Sequence, residues 1–395
     1  MTDPLLRWRE EFPILAHTVY MISNSLGAMP RGVYDKLREY AETWARRGVR
    51  AWAEGWWELP VTVGNQIAGI IGADPGTVSM HQNVTLASAV ILSCLDFQGR
   101  RNKVVMTAMD FPSVLYLHQK FLPPQARLVI VPSEDGIGIP SEKLLEAIDE
   151  ETRLVATSHV LFKTAYIQDV QAIVARAHAV GALVAIDGYQ AVGTLPVDVK
   201  ALGVDFYVGG CVKWLCGGAG GGYLYVRPDL AAQLEPRLTG WMAHPRAFAF
   251  ETEMAYRTDG FRFLNGTPSV PALYAVQPGL AIIAQVGVEA IRAKSVRQTT
   301  RLIELAQERG FRVSASSDAA RRGGTVAIDV PYSYEVSREL IRREFLVDHR
   351  PQAGIRISPH FYSTDEEIEL TIREIDEILR TKAYERHIGE RGYVT

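Results

Sequence analysis

The sequence predicts an α/β protein built around a mostly parallel β-sheet. Short apolar runs of strand length recur along the chain, and several have no polar interruption, which is typical of strands buried on both faces of a sheet. Segments with helical periodicity separate these runs. Because strands that alternate with helices favour parallel pairing, the pattern indicates a mostly parallel sheet. A chain of 395 residues is long enough for one large domain with a smaller one attached.

The predicted elements follow in chain order. Strands of the sheet are expected at residues 103–106, 127–131, 153–157, 182–186, 205–208 and 223–226. Helices are expected at residues 33–47, 59–71, 86–95, 141–148, 170–180, 228–234 and 270–286. The remaining chain predicts a smaller α+β domain, with helices at residues 289–309, 333–344 and 365–382 and strands at residues 311–315 and 325–329.

An acid and a lysine follow two neighbouring apolar runs. Asp187 ends the run at residues 182–186, and Lys213 follows the run at residues 205–208. Since ligands of open α/β sheets collect at the carboxyl ends of strands, both side chains can face one cavity. Pyridoxal phosphate chemistry needs such a pair: the lysine forms the Schiff base and the acid pairs with the pyridinium nitrogen. The plain alternatives are an exposed lysine and an aspartate that caps a turn.

Two other glycine-rich sites are excluded by the order of residues. The glycines at positions 217, 218, 220, 221 and 222 follow the lysine, and no Gly-Lys-Ser/Thr is present, so a phosphate-binding P-loop is not indicated. A dinucleotide-binding fingerprint is also disfavoured, because these glycines precede a strand-like segment rather than a helix.

Several further segments carry a family resemblance by their order and spacing. They are YMISNSLGAMP, GVRAWAEGWWELP, DFPSVLY, TSHVLFKTAYIQDV, LTGWMAHP, FRFLNGTPSVPALY and GIRISPHFY, together with residues 187–226. With them the chain resembles the fold-type I pyridoxal phosphate enzymes of the class V aminotransferase group, and within it the kynureninases. The resemblance implies a large cofactor-binding domain with a mostly parallel seven-stranded sheet at residues 15–285. It implies a small domain from residues 1–14 and 286–395.

The resemblance also implies the residues of the site. Those expected at pyridoxal 5'-phosphate are Val84, Thr85, Phe111, Ser113, Ser158, His159, Asp187, Gln190, Lys213, Trp241 and Thr267, with Lys213 catalytic. Those expected at the substrate are Asn24, Ser25 and Arg356. The turn that contains Thr267 is expected to reach the cofactor of a second subunit, which implies a homodimer with composite sites.

The residues themselves leave alternatives open for several of these positions. Val84 and Thr85 are placed directly before an apolar helix, where backbone N–H groups and a hydroxyl bind anions, or where an Asn or Thr simply caps the helix. An amide at Gln190 can donate to the cofactor's phenolic oxygen. Arg356 alternates with apolar neighbours, so it binds a carboxylate or faces solvent.

The other aromatic and imidazole side chains have equally plain alternatives. Phe111 either stacks on the pyridine ring or belongs to the core. His159 either lines the cavity or satisfies a loop carbonyl. Trp241 either contacts the phosphate or packs within its loop.

Three positions depart from the kynureninase pattern. Val114 replaces an acid, Gln190 replaces a histidine that is usual in kynureninases, and Val212 replaces a tyrosine. The resemblance therefore implies a pyridoxal phosphate enzyme acting on an α-amino acid, with hydrolytic Cβ–Cγ cleavage that releases alanine as its nearest named activity. The alternatives are a carbon–sulfur lyase or cysteine desulfurase, an aminotransferase, and a cofactor-free binding protein on the same fold.

The bulk composition indicates which classes of partner the protein is not expected to bind. A formal net charge of -3 and a pI near 6.3 give no indication of nucleic acid or an anionic membrane as partner. The beginning of the chain lacks an apolar segment of signal length, so a cytoplasmic protein is expected. Cys94, Cys211 and Cys216 lack a paired metal-binding spacing and are expected to be reduced structural thiols, so no metal is expected.

Overall fold

The computed structural model describes residues 3–390 and residue 392 of the chain. Its strands are β1 (Val19–Tyr20), β2 (Val78–His81), β3 (Lys103–Thr107), β4 (Arg127–Val131), β5 (Thr152–Ser158), β6 (Leu183–Asp187), β7 (Phe206–Gly210), β8 (Gly222–Val226), β9 (Arg312–Val313), β10 (Val326–Asp329), β11 (Phe345–Leu346), β12 (Asp348–Arg350) and β13 (Gly354–Ile357).

The α-helices lie between these strands. They are α1 (Gly32–Arg47), α2 (Leu59–Ile70), α3 (Val84–Ser93), α4 (Pro112–Phe121), α5 (Ser141–Glu146), α6 (Val170–Ala179), α7 (Val199–Leu202), α8 (Pro228–Ala231), α9 (Val270–Val286), α10 (Val288–Glu308), α11 (Ser333–Arg342) and α12 (Asp365–Thr381).

The large sheet has seven strands in the order β2-β8-β7-β6-β5-β3-β4. Strand β8 runs antiparallel to both of its neighbours, and the other pairs are parallel. The predicted mostly parallel sheet of seven strands is therefore confirmed. Parallel strands place their carboxyl ends at one edge, and that edge receives the residues that follow β3, β5, β6 and β7.

Both faces of the large sheet are buried. Along β3, Val104 and Met106 belong to one apolar cluster while Val105 belongs to another. Val184 and Ala185 of β6 divide in the same way. Because successive side chains of a strand point to opposite faces, this division shows that helices cover the sheet on both sides. The unbroken apolar runs of the sequence have this cause.

A second sheet lies in the C-terminal part of the chain. Its four antiparallel strands have the order β12-β13-β10-β9, and α10, α11 and α12 contribute to the apolar cluster that covers it. Ion pairs join Asp3 to Lys294 at 2.8 Å and Arg9 to Glu367 at 2.5 Å. These contacts favour the grouping of the N-terminal segment with the small domain. The division at residues 14 and 286 stays a prediction, and residues 1, 2, 391 and 393–395 lie outside the described chain.

Several predicted elements have different bounds, among them the following three. The apolar helix expected from Leu86 begins at Val84, because the side chain of Asn83 caps it. The helix expected at residues 228–234 ends at Ala231. The strand expected at residues 311–315 is reduced to β9, since it pairs only with β10 at the edge of the small sheet.

Over residues 3–390 and 392, no single helix combines the length and apolarity of a membrane span. The adjoining helices α9 and α10 reach that length and apolarity only when they are taken together, and they are bent by 81°.

Candidate active site

A cavity of about 680 Å³ opens at the carboxyl edge of the large sheet. Its volume lies in the ordinary range for sites that hold a cofactor or a small substrate. The segments that line it are the start of α3, the segments after β3 and β5, and the residues at and after the ends of β6 and β7. The lining residues are Asn83, Val84, Thr85, Leu86, Phe111, Ser113, Ser158, Val160, Phe162, Asp187, Tyr189, Gln190 and Lys213.

Lys213 reaches the cavity three residues after β7. Its Nζ lies 4.4 Å from the ring centroid of Tyr189 and 5.4 Å from that of Phe111. Within the described chain this amine forms no hydrogen bond. Burial and, less strongly, the positive charge of Arg356 lower the pKa of Lys213 to about 8, against the opposing effect of Asp187. A lysine amine of this kind is more often neutral, and hence nucleophilic, than an exposed one.

Asp187 is the last residue of β6, and its carboxylate faces the same cavity. Its Oδ1 accepts a hydrogen bond of 2.9 Å from the backbone N–H of Tyr189, which fixes the carboxylate at the strand end. Burial and, less strongly, the nearby charge of Asp110 cause a rise of the Asp187 pKa to about 6. The N–H of Tyr189 and the charge of Lys213 oppose it. Sheet order thus brings the predicted acid and lysine to one cavity.

The start of α3 forms another wall of the cavity. Asn83 Oδ1 accepts from the Leu86 N–H at 3.0 Å, so Asn83 is the cap and Val84 and Thr85 lie within the first turn of the helix. This corrects their predicted position before the helix. The first N–H groups of an α-helix have no intrahelical carbonyl to bind. The N–H groups of Val84 and Thr85 are therefore oriented for an anion.

A glycine allows the sheet to approach this helix start. A Cβ at Gly222 in β8 would lie 2.7 to 2.9 Å from backbone atoms of Asn83. Any larger residue would push the start of α3 away from the sheet edge. This close approach holds the helix terminus at the cavity.

Two phenylalanines form the apolar side of the cavity. Phe111 is 38% exposed, and its side chain lines the cavity instead of packing in the core. Its ring meets Phe162 edge to face with centroids 5.3 Å apart. The alternative of a core phenylalanine at position 111 is therefore wrong. Ser113 and Ser158 provide hydroxyl groups among the lining residues.

Gln190 is buried beside Asn24. Its Nε2 donates to the backbone oxygen of Asn24 at 3.0 Å, and its Oε1 accepts from Trp214 Nε1 at 2.8 Å. Asn24 is 1% exposed, and neither polar atom of its own side chain has a partner in the described structure. An unsatisfied buried amide is unfavourable unless a ligand completes its hydrogen bonds. Ser25 is half-buried beside it, and neither Asn24 nor Ser25 is among the lining residues of the cavity.

Arg356 is buried rather than solvent-facing. Its Nε and Nη2 bind the two oxygens of Asp348 at 2.7 and 2.5 Å, and its Nη1 donates to the Phe162 carbonyl at 2.6 Å. The plain alternative for this strand arginine is therefore wrong. Because Phe162 lines the cavity, the guanidinium lies directly behind the apolar wall.

Three predicted cofactor residues lie outside the cavity. His159 Nδ1 lies 2.9 Å from the Tyr207 hydroxyl, and burial lowers the pKa of this histidine to about 4. Trp241 packs against Trp57 with ring centroids 4.9 Å apart and is 36% exposed. Thr267 is exposed. The chain by itself does not bring these three side chains to Lys213, so their roles stay predictions.

Sequence reasoning missed part of the lining. Tyr189 lies between two predicted residues, and Val160 and Phe162 follow the predicted Ser158. Their proximity in the chain to predicted residues was the available signal. The contact of Asp348 with Arg356 could not be predicted from the sequence, because the pairing of β12 with β13 brings the two residues together.

The cavity residues fit pyridoxal phosphate. A helix start with free N–H groups suits the phosphate, a lysine amine without a hydrogen bond suits the aldehyde carbon, and a buried acid suits the pyridine nitrogen. Within the described residues, no group of histidine, cysteine, aspartate and glutamate has the arrangement of a metal site. Cys94 is half-buried, and Cys211 and Cys216 are buried.

Known proteins resemble the chain along most of its length. The uncharacterized aminotransferase YcbU of Bacillus subtilis (strain 168) is 31% identical over 369 residues, covering 93% of this chain and 96% of that protein. The kynureninase of Pseudomonas fluorescens is 31% identical over 398 residues, covering 97% and 94%.

Solved structures share the fold. The apo cysteine desulfurase of Thermococcus onnurineus NA1 has a TM-score of 0.84 at 20% identity, covering 96% of this chain and 99% of that one. The cystine C-S lyase C-DES in complex with cysteine persulfide has a TM-score of 0.84 at 22% identity, covering 92% and 99%. The predicted α/β fold of type I is thereby confirmed. The family model Aminotransferase class-V matches residues 19–370, so the protein belongs to the class V aminotransferase family of pyridoxal phosphate-dependent enzymes.

Proposed function

We propose that the protein hydrolyses the Cβ–Cγ bond of an α-amino acid with an aromatic γ-keto side chain of the kynurenine type, and releases alanine. The observation that carries this proposal is one cavity with three chemically different groups of residues in its walls or directly behind them. It has the Lys213 and Asp187 pair at its base, the rings of Phe111 and Phe162 at its side, and the Arg356 guanidinium behind Phe162. These walls suit a substrate with an amine, one carboxylate and a planar apolar side chain.

Several residues of the cavity would hold the cofactor. Lys213 would bind it covalently through Nζ, Asp187 would pair with the ring nitrogen, and the N–H groups of Val84 and Thr85 would bind the phosphate. When bound, pyridoxal phosphate supplies an electron sink for charge that develops on the substrate's α-carbon. The ring of Phe111 offers an apolar face at the same place.

Lys213 is also the candidate for proton transfer at the substrate's α-carbon. Its pKa of about 8 keeps a substantial fraction of the amine neutral near physiological pH, and a base works best when its pKa lies near the working pH. The apolar rings of Tyr189 and Phe111 around Nζ exclude competing hydrogen-bond partners. With the cofactor bound through the substrate's amine instead, Nζ would be free for this task.

Arg356 is the candidate for binding the substrate carboxylate. A guanidinium has five N–H donors, and Asp348 and the Phe162 carbonyl occupy three of them. Two donors remain for a carboxylate, and the bidentate contact with Asp348 fixes the plane in which they lie. The unsatisfied side chain of Asn24 supports a further polar contact to the substrate.

The proposed reaction is a hydrolysis that consumes one water molecule. The Cβ–Cγ bond breaks, water adds its hydroxyl to the acyl carbon to give an aromatic acid, and a proton completes alanine. The 31% identity to the kynureninase of Pseudomonas fluorescens supports this reaction. Val114, Gln190 and Val212 differ from the kynureninase pattern, and of these only Gln190 lines the cavity.

Gln190 favours a second candidate, carbon–sulfur cleavage. By the family resemblance, cysteine desulfurases and related class V enzymes often have glutamine at this position, and one solved structure of the same fold is a cystine C-S lyase. The persulfide chemistry of a desulfurase is less well supported, since none of the three cysteines is among the lining residues of the described chain. A C–S lyase without a nucleophilic cysteine is compatible with this cavity.

We also propose that two copies form composite sites. Trp241 and Thr267 are exposed and lie outside their own chain's cavity, which is where residues for a partner's cavity would lie. Mixing Lys213→Ala with Trp241→Ala after unfolding and refolding together would then restore roughly a quarter of the active sites, since half of the dimers would be mixed. No recovery, with each parent still dimeric, would contradict composite sites.

Product analysis tests the proposed reaction. The holoenzyme is incubated with L-kynurenine, with L-cystine, and with an amino donor plus an α-keto acid acceptor. Alanine with an aromatic acid supports the proposal, pyruvate with a sulfur product supports the second candidate, and a new amino acid indicates aminotransfer. The Lys213→Ala variant is the control. Turnover of L-kynurenine no faster than by that variant would contradict the kynureninase-like activity.

A further inference from the structure

Two hydrogen-bond partners hold the side-chain amide of Gln190, and one of them can only donate while the other can only accept. Trp214 Nε1 donates to Oε1 at 2.8 Å, and the Asn24 backbone oxygen accepts from Nε2 at 3.0 Å. An indole N–H is only a donor, and a peptide carbonyl is only an acceptor. Both partners therefore require the same orientation of the amide, with its NH₂ group toward Asn24.

Trp214 is itself tightly fixed. It is 1% exposed, its carbonyl lies 2.8 Å from His360 Nε2, and its ring meets His360 edge to face at 5.3 Å. A Cβ at Gly324 would lie 2.7 Å from the indole Cη2, so the ring has no room to move on that side. The indole N–H is therefore a rigid anchor for Gln190.

This anchoring decides which polar group Gln190 can offer to the cavity. Nε2 carries two hydrogens, and Asn24 takes one of them, so one N–H remains on a residue that lines the cavity with Lys213. We propose that Trp214 is a positioning residue whose indole N–H holds the Gln190 amide so that it donates to the phenolic oxygen of the bound cofactor. The inference rests on the proposed function and on the contact between Gln190 and the cofactor's phenolic oxygen that the sequence predicts.

The consequence is a measurable property of the loaded protein. A donor to the phenolic oxygen withdraws negative charge from it, which makes a proton on the neighbouring nitrogen less favourable. Loss of that donor raises the pH at which the visible absorption of the bound cofactor changes. The charged groups that act on Lys213, namely Asp187, Asp348, Arg350 and Arg356, are unaltered when Trp214 is replaced.

The experiment is a pH titration of the visible absorption of three variants loaded with pyridoxal phosphate. Trp214→Phe is expected to raise the midpoint by about half a unit or more, the value of one ordinary hydrogen bond. Gln190→Leu is expected to raise it as well. The double variant is expected to match Gln190→Leu, because the indole acts only through the amide.

Trp56→Phe is the matched control. Trp56 is also buried, its Nε1 donates to the Tyr274 hydroxyl at 3.2 Å, and it does not line the cavity. Its replacement removes a similar hydrogen bond, and the midpoint is expected to stay at the value of the unaltered protein. A loss of thermal stability shared by both phenylalanine variants would measure packing alone.

The titrations distinguish the positioning role of Trp214 from the contact of Gln190 with the cofactor. If Gln190→Leu raises the midpoint and Trp214→Phe does not, the positioning role is wrong while the contact of Gln190 with the cofactor stands. If neither raises it, that contact is wrong and the inference fails with it. Should Trp214→Phe not fold, β-(3-benzothienyl)alanine at position 214 keeps the bicyclic ring without the N–H, and the same rise is expected.

Discussion

Two buried acid–base pairs lie near the cavity, and they differ in one respect. Asp348 and Arg356 form a closed pair with two hydrogen bonds of 2.7 and 2.5 Å, and both side chains are nearly inaccessible to solvent. Asp187 and Lys213 influence each other's pKa, but no ion pair of 4.0 Å or less joins them in the described chain. One pair is complete within the protein and the other is open to the cavity.

The difference indicates two tasks. A buried charge is unfavourable unless a partner compensates it, and Asp348, which also pairs with Arg350 at 3.1 Å, is that partner for Arg356. The open pair has no such compensation, so burial shifts both groups toward their neutral forms, with the pKa of Asp187 raised and that of Lys213 lowered. We infer that the closed pair fixes the position of the Arg356 guanidinium for substrate binding. We also infer that the two side chains of the open pair bind the cofactor.

The largest effect is expected from removal of the open pair's amine. Lys213→Ala is expected to lower kcat/KM by about 10³-fold or more, because both covalent attachment and proton transfer depend on Nζ. Steady-state kinetics on the best substrate of the product panel measures it. Lys120→Ala, at an exposed lysine of α4, is the control and is expected to retain full activity. Comparable activity in both variants would remove Lys213 from the chemistry.

The closed pair is expected to matter most for stability. Asp348→Asn leaves the buried Arg356 without a countercharge, so the free energy of unfolding is expected to fall by about 3 kcal/mol or more. Urea-induced unfolding of the cofactor-free protein measures this. In the control, Asp329→Asn breaks a more exposed pair with Arg312 at 2.8 Å, where a loss of at most about 1 kcal/mol is expected. Equal losses would mean that the two pairs are not different in kind.

A smaller effect on rate is expected from the acid of the open pair. Asp187→Asn keeps the shape of the side chain but cannot compensate a protonated ring nitrogen, so kcat/KM is expected to fall by about 10²-fold. Asp198→Asn, at an exposed helix cap, controls for the loss of a carboxylate. An Asp187→Asn variant as active as this control would show that the acid has no part in catalysis.

The pH dependence of cofactor binding is the mildest test. Only the neutral amine can attack the cofactor's aldehyde, and the lowered pKa places half-neutralisation of Lys213 at about 8 instead of 10.5. The rate of covalent attachment to the cofactor-free protein is therefore expected to rise with pH and to level off above about 8. Stopped-flow absorption records this rate. A rate that is still rising at the ordinary lysine pKa would show that the amine is not buried as described.

The sequence was sufficient for the residues that the chain's own sheet positions. Asp187 and Lys213 follow strands of one parallel sheet, and unbroken apolar runs revealed those strands. The helix start at Val84 was misplaced by two residues, because the cap is Asn83 and not the residues after it.

Other parts of the site depend on contacts that no local pattern encodes. The partner of Arg356 is set by the pairing of two strands in the small sheet, and the amide of Gln190 is oriented by Trp214, which lies 24 residues away in the chain. Trp241 and Thr267 lie outside the cavity of their own chain, and their contact with the cofactor of a second copy stays a proposal. Long-range packing, rather than propensity, decides these positions.

Chemical mapping of the cofactor tests the central claim most directly. The protein loaded with pyridoxal phosphate is reduced with borohydride, digested and analysed by tandem mass spectrometry. The expected result is a stable pyridoxyl group on Lys213 and none on the exposed lysines. A label on a different lysine, or no label at all on folded protein, would contradict the account.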